Sequence, residues 1–96
     1  MKLLRLRLEA EFELFDATLW YETEQEGLGF EFDSEVHATL NRIALGPKQF
    51  PILSRDIRRA VVDRFPYGVF FVDFEDEISV IGIVHLHRDP ETWKLR

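Results

Sequence analysis

Arg64-Phe65-Pro66-Tyr67-Gly68-Val69-Phe70-Phe71-Val72-Asp73-Phe74 leads through Glu75-Asp76-Glu77 into Ile78-Ser79-Val80-Ile81-Gly82-Ile83-Val84-His85-Leu86. Residues 67–74 and 78–86 are runs of β-branched and aromatic side chains, and the acidic connector between them is short enough for a hairpin loop. Alternation along the first run sets Phe70, Val72 and Phe74 against Val69, Phe71 and Asp73. Along the second it sets Ile78, Val80, Val84 and Leu86 against Ile81 and Ile83. A half-exposed antiparallel strand alternates apolar with polar, whereas both faces here are largely apolar. A hairpin of this kind is not stable alone in water, so other elements must cover it. Two helices can cover one face. The C-terminal tail or a partner must cover the other.

Working back to the start, Leu4, Leu6 and Leu8 alternate with Arg5 and Arg7, the pattern of a half-buried strand with charge along its other face. Residues 9–26 change period. Ala10, Leu14, Ala17 and Tyr21 recur every three or four positions, with Phe12, Phe15 and Leu19 in a neighbouring row, which predicts an amphipathic helix with a broad apolar face. Glu9, Glu11 and Glu13 suit its N-terminal end, but Glu22, Glu24 and Glu26 oppose the macrodipole at the other. Gly27-Leu28-Gly29 interrupts the pattern. A second helix follows with Phe32, Val36, Leu40 and Ile43 in step, and Gly46-Pro47 ends it. Residues 48–55, with Pro51, read as a loop, and residues 56–62 as a further strand. The order is β-α-α-β-β-β: an α+β fold, a helical hairpin packed on a mostly antiparallel four-stranded sheet, in a single domain spanning 1–96.

Composition narrows the function. Nine Phe and two Trp in 96 residues supply a real core. The absence of cysteine rules out disulfides and thiolate chemistry and points to a cytoplasmic setting. No apolar run is long enough to span a membrane. The net charge of −6 is unevenly spread: residues 1–35 hold three Lys/Arg and ten Asp/Glu. Nucleic-acid binding needs a positive patch against phosphate repulsion, so overall charge counts against RNA or DNA as the main ligand.

The ordered set Ala10, Leu14, Ala17, Trp20-Tyr21-Glu22, then Gly27-Leu28-Gly29 and Phe32, then Ile57-Arg58-Arg59-Ala60, Arg64-Phe65-Pro66-Tyr67, and His85, Arg88-Asp89-Pro90 and Trp93 resembles the RelE/ParE toxin superfamily. The likeness spans almost the whole chain and is strongest to the ParE-like, plasmid-stabilisation branch. It implies a growth-inhibiting toxin of a type II toxin–antitoxin system, neutralised by a cognate antitoxin protein, with DNA gyrase as the target associated with that branch. The superfamily also contains ribosome-dependent mRNA endoribonucleases of the RelE type. Where those carry an arginine early in the third strand and a tyrosine or histidine near the C-terminus, this chain aligns Gly68 and Trp93. Neither can activate a 2′-hydroxyl, protonate a leaving oxygen or stabilise a phosphorane. A non-toxic, repurposed member that only binds antitoxin is a third reading, and a homo-oligomer is open.

The residues with chemistry to offer are few. His85 and His87 share a strand face and adjoin Arg88; with Arg58 they are the catalytic candidates if the chain is a nuclease. Arg58, Arg59, Arg64 and Arg88 are the group able to bind a phosphate or a target, or else to balance Asp56, Asp63 and Asp89 nearby in sequence. Asp89 and Pro90 read as a turn that fixes the tail around Trp93. No third ligand accompanies the two histidines, so no metal and no cofactor is expected.

Overall fold

In the computed structural model of the chain, which describes residues 2–96, the elements run β1 (Leu3–Leu6), α1 (Leu8–Glu24), α2 (Leu28–Leu45), β2 (Ile52–Ser54), β3 (Ile57–Val61), β4 (Tyr67–Asp73) and β5 (Glu77–His85), with 3-10 turns at Pro47–Gln49 and Thr92–Leu95. They form one sheet in the order β1-β5-β4-β3-β2. β1 lies parallel to β5, and every other neighbour pair is antiparallel. A parallel pair needs a long crossover, and everything between the first strand and the last supplies it.

The sheet has five strands where four were expected. Residues 48–55 contain the short strand β2, paired through Ile52 with Arg58 and Ser54 with Ile57. It is too brief to show a period, and Pro51 beside it argues against pairing; proline is tolerated at the start of an edge strand. Arg55 makes the turn into β3 at φ 55°, in place of the glycine that would have marked a hairpin.

The alternation read for residues 78–86 fails halfway along. Phe71 pairs with Val80 but Phe70 pairs with Gly82, so Ile81 is an extra residue and β5 carries a bulge there. Beyond the bulge the faces exchange. Ile78, Val80 and Ile83 join the core beneath the helices, whereas Ile81 and Val84, with Leu86 packed on them, lie on the opposite side. A bulge of one residue moves every later side chain to the other face.

Both faces of the central hairpin are covered from within the chain. On one, Phe32, Val36 and Ile43 of α2 meet Val69 and Phe71 of β4, all essentially buried. On the other, Trp93 stacks on Phe70 with ring centroids 4.7 Å apart and planes 16° from parallel. Its indole Nε1 donates to the Pro90 carbonyl at 2.7 Å, so the tail is anchored as well as packed.

The two helices approach closely at Gly29. A Cβ there would lie 2.6 Å from the Thr18 carbonyl oxygen and 2.9 Å from Glu22 Cβ, so only glycine fits. Gly27 makes the connection with φ 88°. Glu22 accepts the N–H of Gly27 at 2.9 Å and of Gly29 at 3.0 Å. Its charge is out of place on α1 but well placed at the start of α2, where unpaired N–H groups and the positive dipole end await an anion.

Candidate functional site

β5 ends at His85, and the chain then turns sharply through His87 and Arg88. The turn is held by the histidine itself. His85 Nδ1 accepts the backbone N–H of His87 at 3.1 Å and of Arg88 at 3.0 Å, so that nitrogen carries no proton. Burial, followed by the positive charge of Arg88 and the neighbouring His87, pulls its pKa below the ordinary histidine value. The ring packs edge-on against Tyr67, 5.1 Å between centroids. Arg88 reaches the Tyr67 hydroxyl at 3.4 Å and lies over the Trp20 ring, 5.5 Å from its centroid. Burial raises the phenol pKa of both Tyr67 and Tyr21.

Trp20, Tyr67, His85 and Arg88 border a cavity of about 270 Å³ between α1 and the end of β5, whose remaining wall includes Glu13, Asp16 and Asp89. Glu13 is committed: it receives the Ile83 N–H at 2.9 Å and the guanidinium of Arg96 at 2.8 Å. In that way α1 satisfies the part of β5 that β1 leaves free. Arg88 is the single cation of this cavity and faces three carboxylates. Such a wall repels a phosphate backbone.

The other sequence-predicted residues lie apart from this cavity. Arg58 donates to the Phe50 carbonyl at 2.7 Å and borders a different groove with Lys2, Lys48 and Asp73. Arg59 points to the tail side beside Gly68, its Nε buried without a partner. Arg64, at φ 71°, reaches across to α2 and pairs with Glu31 at 2.5 Å and Glu35 at 3.3 Å. The four arginines do not converge, and their ionic partners among the described residues do not include Asp56, Asp63 or Asp89. Asp89 takes part in the tail turn through its backbone, donating its N–H to the His85 carbonyl at 3.1 Å. Gly68 has no spare room, since a Cβ would sit 3.0 Å from Leu86 Cδ2 and 3.1 Å from the Phe70 ring. Among the described residues no three His, Asp or Glu side chains gather as a metal site.

The most prominent unexplained surface lies on α1. The row Phe12, Phe15 and Leu19, expected to widen the buried face, points outward. Its members are 60%, 60% and 49% exposed, while Ala10, Ala17 and Tyr21 make the contact with the core. Leu8 extends the row by one turn, also exposed. Beside it runs a groove of about 300 Å³ between α1 and α2, bordered by Leu6, Glu11, Leu14, Phe15, Thr18 and Asp33. The signal was present in the sequence: two apolar rows on one helix exceed what a single contact with a sheet can bury. A row of exposed large apolar side chains is a candidate interaction surface.

No protein-family model matches the chain, and no curated protein matches it. Among solved structures it is similar to a chain of the chromosomal ParDE TA system from P. aeruginosa, with a TM-score of 0.74 and 18% identity over 88% of this chain and 96% of that one. At that identity the likeness is one of fold. Two helices laid on a mixed sheet, with β1 returning beside β5, give the chain the α+β, ParE-like fold of that ParDE chain.

Proposed function

We propose that the chain is the toxin component of a type II toxin–antitoxin pair, ParE-like in action, which blocks an essential target by binding it and is neutralised by a cognate antitoxin. The observation that carries this reading is the outward apolar row of α1 on a ParE-like fold: the chain needs a partner to cover Phe12, Phe15 and Leu19. DNA gyrase as the target follows from the resemblance. The His85 nitrogen that could act as a base is occupied by two backbone donors, and Arg88 shares its cavity wall with three carboxylates, which favours binding over RNA cleavage.

Expression of the chain alone in a bacterial host is expected to arrest growth, and co-expression of the adjacent reading frame to restore it. Normal growth at confirmed soluble expression favours a repurposed, non-toxic member. Supercoiling assays run beside primer extension on translated messages separate the two toxic chemistries. Site-specific message cleavage abolished by His85→Ala or Arg88→Ala would establish the RelE-type nuclease instead.

A further inference from the structure

The partner's chemistry is written on α1. Between Leu8 and Glu24 the helix carries Glu9, Glu11, Glu13, Asp16, Glu22 and Glu24, and neither lysine nor arginine. Two of these acids have work inside the fold, Glu13 with Arg96 and Glu22 with the start of α2. Glu9, Glu11 and Asp16 form no ion pair among the described residues, although Glu9 shares a cavity wall with Arg7, Arg55 and Arg96, and Asp16 shares one with Arg88. They are also the acids that border the apolar row. Positions 8, 12, 15 and 19 recur at spacings of four, three and four, the seam period of paired helices. Positions 9 and 16 then run along one side of that seam and position 11 along the other. Asp33 of α2 adds a further carboxylate across the groove, with the imidazole Nδ1 of His37 3.4 Å from it and no lysine or arginine paired with it among the described residues. Thr18 Oγ1, on the groove floor, is buried without a hydrogen-bond partner.

We infer that this surface takes an amphipathic helix of the antitoxin whose apolar ridge is bordered by lysine and arginine. The inference rests on the antitoxin reading and specifies the segment that docks. A helical occupant follows from the heptad spacing of the exposed row, and its basic borders from the unpaired acids on either side. A second copy of the chain is the wrong occupant, because two α1 helices face to face would set Glu9, Glu11 and Asp16 against their own counterparts. The apolar row supplies the contact area, and the acids set orientation and exclude acidic competitors.

The test is a calorimetric titration of the intact chain at roughly 0.05 and 0.5 M salt. The titrants are the purified product of the adjacent reading frame and a synthetic helix of about 20 residues with leucine at the seam positions and lysine beside them. The same peptide with glutamate for lysine is the control. The lysine peptide is expected to bind at least about tenfold more tightly than its glutamate twin at low salt, with most of that margin lost at high salt. Glu9→Gln/Glu11→Gln/Asp16→Asn removes the salt dependence for both titrants. Phe12→Ser/Phe15→Ser abolishes binding, and because both residues are exposed the fold survives, as circular dichroism checks. If the adjacent product binds with an affinity that neither salt nor these substitutions alter, the inference falls and the antitoxin reading stands. If that product does not bind while the lysine peptide does, on α1, the surface assignment stands and the antitoxin reading falls. Equal affinity for the lysine and glutamate peptides overturns the basic-partner inference outright.

Discussion

α1 and α2 have nearly the same length, 17 and 18 residues, and pack side by side on the same sheet, yet they use their apolar side chains differently. α2 buries Phe32, Val36, Leu40 and Ile43 in one continuous face. α1 meets the core through the small side chains Ala10 and Ala17 and the ring of Tyr21, and turns Phe12, Phe15 and Leu19 outward. Burying a large apolar side chain contributes roughly 1.5–3 kcal/mol, so the outward row leaves several kcal/mol unrealised in the free chain. Hydrophobic period locates a face; it does not say what covers it. On α2 the cover is the chain's own sheet, and on α1 the outward row is left exposed.

The largest expected effect breaks this comparison most directly if absent. Phe32→Ala should cost about 3–5 kcal/mol, as a fully buried aromatic leaves a cavity, whereas Phe15→Ala should stay within about 0.5 kcal/mol. Urea midpoints measure both, and equal losses would mean that α1 is as fully packed as α2. Next comes the tail. Trp93→Ala uncovers Phe70, Ile81 and Val84 and should cost about 3 kcal/mol, with loss of near-ultraviolet dichroism from the stacked pair. Smaller again is Glu22→Ala, which removes the anion from the start of α2. A loss of about 1 kcal/mol is expected, and amide exchange at Gly27 and Gly29 should rise before exchange elsewhere in α2.

The smallest effect is a pH dependence at His85. Its folded-state pKa lies below that of the free side chain, so as pH falls the unfolded chain takes up the proton first. Stability therefore declines as pH drops below about 6.5, the ordinary histidine value, and His85→Gln should flatten that slope. A slope unchanged by the substitution would show that Nδ1 does not hold the turn in its neutral form.

The order of elements, the helical hairpin, and the need to cover both sides of the central strands were legible in the residues themselves. The tail around Trp93 was one of two covers that the reading allowed, and it is the one found. Three features were not legible, each for a local reason. The bulge at Ile81 leaves no mark in composition, since a register slip changes pairing rather than residue type. β2 is too short to show a period and its turn lacks glycine. Glu22 made no sense within α1 because its partners lie at the start of α2, five and seven residues further on, in a helix reversed in direction. The candidate site followed the same division. His85, His87 and Arg88 come together because they are neighbours in sequence. Arg58, Arg59 and Arg64 are dispersed by strand parity and by the left-handed turn at Arg64, neither of which a count of arginines reveals.

The measurement closest to the central claim is amide hydrogen exchange on the intact chain, free and saturated with the product of the adjacent reading frame. If α1 presents its outward row to the antitoxin, protection on binding should concentrate between Leu8 and Glu24 and along the facing start of α2, with the Trp93 tail and β5 unchanged. Protection confined to the tail and the sheet, with α1 exchanging as in the free chain, would contradict it.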